Sequence, residues 1–176
     1  GWEDLVEEHR TQISEDMAVV RFSASQTPIL TDLLTQVPLA RVERVEDGKP
    51  LRKCTWRNKV HRCNGRAWED VSVIFAEVGG SPRRCIKLHP YPHNGLVRII
   101  FDEQALGNSL LVRSGITLEA ARRSEGSDAT VVVSIDGSER LRWVEPRHGW
   151  DWTPHWIDTS DMAGHTARIS LDVYAE

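Results

Sequence analysis

Hydrophobic and polar residues alternate along much of the chain after Pro38, which is the pattern of half-buried β-strands. The clearest examples are the segments TVVVSIDG and ARISLDVYA, in which one side of each predicted strand is aliphatic. A strand with one apolar face packs that face into a core, so these segments predict six core positions. The positions are Val131, Val133, Ile135, Ile169, Leu171 and Val173.

Short dipeptides that contain glycine separate the apolar segments and predict tight turns between strands. They are Asp47-Gly48, Gly79-Gly80, Asn94-Gly95 and Asp136-Gly137. Their spacing predicts roughly eight to ten short strands, as in a β-sandwich. Because these strands do not alternate with helices, we expect an all-β fold, an antiparallel two-sheet jelly-roll sandwich over residues 38–176.

The first 37 residues have a different pattern, which predicts a short N-terminal helical segment or linker. Apolar residues recur every three to four positions near the N-terminus, as on one face of a helix. The apolar residues are Leu5, Val6, Ile13 and Met17, and His9 lies on the same face. A second short helix is predicted in ILTDLLTQV, with Thr27 as N-cap, Pro28 at the first helical position and Pro38 ending it.

Composition restricts the class of protein. The chain has 176 residues, enough for one domain with a full hydrophobic core. Its content of 40% hydrophobic and 27% charged residues is that of a globular protein rather than a disordered one. The net charge of −4 gives no general attraction to nucleic acid. No apolar segment is long enough to cross a bilayer, so we expect no membrane insertion by this segment.

Three cysteines, Cys54, Cys63 and Cys85, lie close together in the sequence. A disulfide between Cys54 and Cys63 is expected to close a short hairpin and to leave Cys85 without a partner. The alternatives are unpaired buried cysteines and a zinc site that also uses His61 and His89. The spacing lacks a C-x-x-C motif, and no metal ligands are assigned.

Tryptophans are concentrated before the last predicted strand. Trp150, Trp152 and Trp156 follow Trp143 closely, and each either fills the core or contacts a ligand. If Ile157 is a core residue, the period of two places His155 on the inner side as a half-buried packing residue. The same period places Trp156 and Asp158 outside, and Trp150 or Trp152 is expected to cap one end of the sandwich. The candidate ligand-binding residues are Trp150, Trp152, Trp156, His148 and Asp158.

Familiar catalytic motifs are absent from the sequence, including G-x-S-x-G, H-E-x-x-H and glycine-rich phosphate loops. Histidines near the tryptophans supply a weaker candidate for catalysis or metal binding. They are His148, His155 and His165, with Asp158 and Asp161 close by in the sequence. We assign no catalytic residue and expect a domain that is not itself an enzyme.

From residue 39 onward the chain resembles a family of bacterial extracytoplasmic β-sandwich domains. The resemblance is carried by LARVERVEDGKPLRKC, HRCNGRAWEDV, EVGGSPRRCIKLHPYPHNGLVRIIF, LLVRSGITLEAARR, VVVSIDG and IDTSDMAGHTARISLDVYA. Such domains form the C-terminal modules of membrane glycosyltransferases of the dolichol-phosphate-mannose type. The last segment also resembles the end of galactose-binding-like and other carbohydrate-binding jelly rolls. The resemblance implies a periplasmic or cell-envelope location and proximity to sugars.

The expected function is therefore a non-catalytic accessory module of a cell-envelope protein that binds carbohydrate or positions substrate. One alternative is a structural module that docks on its parent membrane protein through the same tryptophans. A weaker alternative is a carbohydrate-active hydrolase that uses carboxylates and histidines near the same loop. No cofactor is expected, although a structural calcium ion is compatible with a jelly roll.

Overall fold

A computed structural model describes residues 5–14, 17–24, 29–63, 70–90, 95–122, 126–149 and 151–175. The first strands are β1 Leu5–Ser14, β2 Met17–Ala24, β3 Arg41–Glu46, β4 Lys49–Lys53, β5 Thr55–Arg57, β6 Val60–Arg62 and β7 Val71–Val78. The later strands are β8 Ser81–Lys87, β9 Gly95–Ala105, β10 Ser109–Ser114, β11 Ala129–Ile135, β12 Ser138–Glu145, β13 Thr153–Asp158 and β14 Thr166–Ala175. Short helices α1 (Leu33–Gln36) and α2 (Leu118–Ala121) and the 3₁₀ turns Val37–Leu39 and Ser160–Met162 connect them.

The N-terminal helix predicted from Leu5 to Met17 is wrong. Strands β1 and β2 form an antiparallel hairpin whose pairs run from Leu5 opposite Ala24 to Ser14 opposite Met17. The apolar stripe that suggested a helix is thin, whereas the next segment, MAVVRFSA, is rich in β-branched and aromatic residues that favour strands. In the hairpin, the backbone N–H and C=O groups of each strand form hydrogen bonds with the other strand. In a helix the same groups would form hydrogen bonds within one segment.

A second short helix is present as predicted, but α1 begins only at Leu33, so the predicted start at Pro28 is wrong. Asp32 is its N-cap, because the carboxylate accepts a hydrogen bond from the Leu34 amide at 3.0 Å. The α-helix ends before Pro38, which lies in the following 3₁₀ turn. The predicted cap at Thr27 and the first helical position at Pro28 lie outside the described residues.

The larger layer is a six-stranded antiparallel sheet in the order β12-β11-β14-β9-β3-β4. The predicted hairpin between β11 and β12 is confirmed, and Asp136 and Gly137 at its turn have φ angles of 49° and 81°. Asp47 and Gly48, between β3 and β4, also have positive φ angles. These left-handed conformations are those of two-residue hairpin turns, which explains the Asp-Gly sequences.

A second layer packs on this sheet and completes the all-β sandwich. It comprises the four-stranded sheet β5-β6-β7-β8 and the two-stranded ribbon β10–β13, which are hydrogen-bonded separately in the described part of the chain. The core between the layers combines residues from both, for example Phe101 and Ile169 from the large sheet with Val71 and Ile157 from the second layer. Of the six predicted core positions, five are buried, and Leu171 is half-buried against the same core. No helix among the described residues is long and apolar enough to cross a membrane.

The predicted disulfide between Cys54 and Cys63 is confirmed and closes the β5–β6 hairpin. Asn58 and Lys59, at the hairpin turn, both have positive φ angles. Cys85, on β8, is a half-buried free thiol. Burial raises the pKa of this thiol, although a backbone hydrogen bond with Ala76 opposes the shift.

Removal of this disulfide is expected to destabilise the domain by about 2–3 kcal/mol, because the bond closes a loop with a sequence separation of 9 residues. Urea unfolding of the oxidised and the reduced protein measures the difference. The double variant Cys54→Ala/Cys63→Ala is the control, since added reductant should leave its midpoint unchanged. Equal midpoints for the oxidised and reduced wild type would contradict this assignment.

Candidate functional site on the β10–β13 ribbon

The ribbon formed by β10 and β13 presents one face to the core and one to solvent. Its register pairs Leu110 with Ile157 and Leu111 with Trp156. Ile157 is 4% exposed within the core, whereas Trp156 is 62% exposed. The predicted division of this strand, with Ile157 inside and Trp156 outside, is therefore confirmed.

We call the solvent face of the ribbon the Trp156 face. Directly opposite residues on antiparallel strands share a face, which assigns six residues to it. They are Ser109, Leu111, Arg113, Pro154, Trp156 and Asp158. The carboxylate of Asp158 accepts the Ser160 amide at 2.9 Å, and the hydrogen bonds with Ser160 are the main cause that lowers the pKa of Asp158. Asp158 therefore carries a negative charge at neutral pH beside the exposed indole.

The other tryptophans near this ribbon have structural positions. Trp152 is half-buried, and its indole Nε1 donates to the carbonyl of Ser81 at 2.7 Å, at the turn between β7 and β8. A Cβ atom added to Gly115 would lie 3.4 Å from Cε3 of Trp152, so the ring packs closely over this glycine. These contacts agree with the expectation that Trp152 caps an end of the sandwich.

The remaining candidate ligand-binding residues are not gathered at one place. His148 is exposed in the turn that follows β12, whereas Asp158 shares the ribbon's outer face with Trp156. Trp150 lies outside the described residues. Of the predicted set, the structure thus brings Trp156 and Asp158 onto one face.

A polar cluster lies beneath the ribbon, between β12 and the inner face of β10–β13. Glu145 is 2% exposed and accepts hydrogen bonds from the hydroxyls of Ser114 and Thr153. Ser114 Oγ also lies 2.9 Å from Nε1 of Trp143 and 3.3 Å from Nε2 of His155. The rings of Trp143 and His155 are stacked, with centroids 3.9 Å apart. We call these five residues the Glu145 cluster.

Hydrogen-bond capacity determines the direction of each contact in the Glu145 cluster. A carboxylate can only accept, so Ser114 donates its one hydroxyl proton to Glu145. The indole of Trp143 can only donate, so it donates to Ser114 Oγ. The second lone pair of that oxygen is then filled by the Nε2–H group of His155. Burial lowers the pKa of His155 and outweighs the opposing charge of Glu145, which favours this neutral form.

A serine, a histidine and a carboxylate therefore lie together, but their order differs from that of a hydrolytic triad. In a triad the serine donates to the imidazole and the imidazole donates to the carboxylate. Here Ser114 donates to Glu145, so His155 does not activate the hydroxyl. The geometry assigns a structural role to these three side chains and confirms the expected half-buried packing of His155.

Sequence reasoning missed Ser114, Glu145 and Thr153. One signal was available, because Glu145 shares the strand face of Leu141 and Trp143, which both pack against the core. A charged residue on the core side of a strand requires buried hydrogen-bond partners. The partners of Glu145 lie on β10 and β13. These strands belong to a different sheet from β12, so the local sequence pattern does not identify the partners.

The alternative metal sites receive no support from the described residues. Cys54 and Cys63 form a disulfide and are therefore not available as thiolate ligands. His61 Nε2 lies 2.7 Å from the carbonyl of Val37, so this nitrogen already has a hydrogen-bond partner. His165 is exposed, and Asp161 pairs with Arg140. Within the described part of the chain, no group of three or more histidine, cysteine or acidic side chains could hold a metal ion.

Buried His61 makes the stability of the fold depend on pH. Its Nε2 contacts Val37, whereas its buried Nδ1 has no hydrogen-bond partner among the described residues, and burial lowers the pKa of His61. The unfolded chain therefore takes up a proton at a higher pH than the folded chain. The contribution of His61 to stability is full above pH 6.5, the ordinary histidine value, and is lost as the pH falls below it.

His61 is expected to contribute at most about 1.4 kcal/mol per pH unit to the slope in this range, and His155, whose pKa is also lowered, adds a slope of the same sign. Urea unfolding at a series of pH values measures it, and His61→Gln, whose amide can still donate to Val37, is the non-titrating control. An equal pH slope in the variant and the wild type would assign the effect to other groups.

Comparison of the chain with protein-family models, curated proteins and solved structures finds no match. The resemblance to extracytoplasmic β-sandwich domains therefore stays an expectation. The described side chains, and the Trp156 face in particular, are the basis for a functional proposal.

Proposed function

We propose that this domain is a non-catalytic module that binds carbohydrate on the Trp156 face. The observation that carries the proposal is the indole of Trp156, which is 62% exposed on a regular strand. The residues on either side of it in the chain, His155 and Ile157, are held on the inner face. A large aromatic ring is thus presented to solvent by a fixed backbone, which lowers the ordering cost of binding.

The surroundings of Trp156 suit a sugar ring. An indole stacks on the apolar C–H face of a sugar, and Leu111 opposite Trp156 extends this apolar surface. Asp158, two residues further along the strand, lies about 7 Å away, which is within reach of the hydroxyls of a stacked sugar. Arg113 lies on the same face of the neighbouring strand.

The disulfide supports a location outside the cytoplasm. Disulfides persist in oxidising compartments and are rare in reducing ones. Together with the resemblance to extracytoplasmic domains, Cys54 and Cys63 favour a periplasmic or cell-envelope module attached to a larger protein, such as a membrane glycosyltransferase. In that setting the Trp156 face would hold a glycan close to the parent enzyme.

Docking on the parent protein is the second candidate function. Phe75, on β7, is 78% exposed, and an exposed aromatic residue of this size is also typical of a protein interface. The two candidates use different residues, because Phe75 belongs to the four-stranded sheet and Trp156 to the ribbon. Matched alanine variants of the two can therefore separate them.

Calorimetric titration with soluble gluco-, manno- and chito-oligosaccharides tests the carbohydrate proposal. We expect binding of at least one series, a loss of about tenfold or more in affinity for Trp156→Ala, and no change for Phe75→Ala. Absence of binding at millimolar concentration would contradict the proposal. Release of new reducing ends during the titration would favour the hydrolase alternative.

A further inference from the structure

The ribbon that carries Trp156 is joined to the large sheet by backbone hydrogen bonds at one end and by side chains at the other. Through their backbones, β10 and β13 pair with each other and, among the described residues, with no other strand. At the Ser109–Asp158 end, the Thr159 amide donates to the Asn108 carbonyl and the Leu106 amide donates to the His165 carbonyl, which ties this end to β9 and β14. Apolar contacts hold one part of the ribbon, because Ile157, Leu110 and Val112 pack against the core. The opposite end of the ribbon, at Ser114 and Thr153, is therefore not fixed by backbone pairing with the large sheet in the described part of the chain.

The Glu145 cluster provides the polar link between this ribbon and β12. Ser114 on β10 and His155 on β13 meet each other at 3.3 Å, and Ser114 reaches both Glu145 and Trp143 on β12. All the hydrogen-bonding capacity of the Ser114 hydroxyl is used in these contacts. His155 is the residue before Trp156, so the backbone that carries the imidazole directly adjoins the backbone that carries the exposed indole.

We propose that Ser114, Glu145 and His155 are positioning residues for Trp156, and that the protonation of His155 lowers the affinity of the Trp156 face for its ligand. The second half of this proposal rests on the proposed function. The first half, the mechanical link from His155 to Trp156, is independent of any ligand and has a test of its own.

The sign of the effect follows from the groups that face His155. From β12, the facing groups are the carboxylate of Glu145 and the neutral indole of Trp143. From β10, they are the hydroxyl of Ser114 and the aliphatic Val112, its cross-strand partner. Glu145 is the charged group in this set, and its carboxylate already accepts hydrogen bonds from the hydroxyls of Ser114 and Thr153. Protonation would place a positive charge on a ring that burial keeps neutral, so acid is expected to displace the imidazole.

Fluorine NMR of protein labelled with 5-fluorotryptophan tests the link without a ligand. Trp143→Phe and Trp156→Phe variants assign the two resonances. We expect both resonances to shift along one titration curve with a midpoint below pH 6.5. In His155→Gln, whose amide can still donate to Ser114, both resonances should stay constant over this range. A Trp143 resonance that titrates while that of Trp156 does not would overturn the positioning role.

Matched variants separate positioning from loss of stability. Ser114→Ala removes the hydroxyl that joins β10 to β12, whereas Ile135→Val removes one methyl group from the buried core on β11. We expect Ser114→Ala to alter the Trp156 resonance and Ile135→Val to leave its position and titration unchanged. An equal response to both variants would mean that the cluster acts only through global stability.

Titration with the same gluco-, manno- and chito-oligosaccharides at about pH 7 and about pH 5 tests the coupling to binding. We expect about a fivefold or greater loss of affinity at the lower pH in the wild type and a smaller loss in His155→Gln. Equal losses in both proteins would overturn the coupling. If no oligosaccharide binds at either pH, the proposed function fails, whereas the NMR result still decides the positioning role.

Discussion

Trp152→Ala is expected to lower the free energy of unfolding by about 2–4 kcal/mol, whereas Trp156→Ala is expected to change it by less than about 1 kcal/mol. The two residues lie in the same short segment and differ in what their rings contact. Trp152 packs over Gly115 and donates to the Ser81 carbonyl, so its removal leaves a cavity and an unpaired acceptor. Trp156 projects from the ribbon into solvent.

Urea unfolding of the two single variants measures this difference. Trp156→Phe is a useful third variant, because it keeps an aromatic ring at the exposed position and should resemble the wild type. If Trp156→Ala were the more destabilising of the two alanine variants, Trp156 would fill the core. It would then be unsuitable as a binding platform, and the proposed function would lose its central residue.

The features of the fold that are determined by a few consecutive residues, such as strand faces and tight turns, were predictable from the sequence. The alternation in β11, β14 and β13 assigned Val133, Ile169 and Ile157 to the core, and these residues are buried. The turn at Asp136-Gly137 was predictable for the same reason, since two adjacent residues with positive φ angles favour such a sequence. Each of these inferences needs information from only a few consecutive residues.

The N-terminal hairpin shows where local patterns are ambiguous. A thin stripe of apolar residues between Leu5 and Met17 fits a helix, yet the segment pairs with β2 instead. Whether such a segment forms a helix or a strand depends on a partner that satisfies its backbone groups. The expectation of a helical region over residues 1–37 therefore failed for β1 and β2 and was correct for α1.

The Glu145 cluster depends on contacts between strands that are far apart in the sequence. Ser114, Glu145 and His155 come from β10, β12 and β13. The strand pairing and packing that bring these three residues together cannot be read from local sequence patterns. The sequence did indicate correctly that His155 faces inward and Trp156 outward. It did not indicate that a serine and a buried carboxylate would meet that histidine.

Phe101→Ala is expected to lower the free energy of unfolding by about 3–5 kcal/mol, more than the loss expected for Trp152→Ala. Phe101 is 1% exposed on β9, a central strand of the large sheet, and it lies opposite Ile169 on β14. Its ring belongs to the core that joins the two layers. Truncation leaves a cavity bordered by strands that are hydrogen-bonded on both sides and cannot easily collapse into it.

Asp102, the next residue on β9, is the matched control because it faces the opposite side of the sheet. Its carboxylate pairs with Arg168 at 2.6 Å and with Arg41 at 3.7 Å, and all three side chains are substantially exposed. Exposed ion pairs contribute little, so Asp102→Ala is expected to cost less than about 1 kcal/mol. Urea unfolding of the two variants compares adjacent positions on the same strand. Because a slip of one residue exchanges the two faces, a greater loss for Asp102→Ala than for Phe101→Ala would show that the register of β9 is wrong.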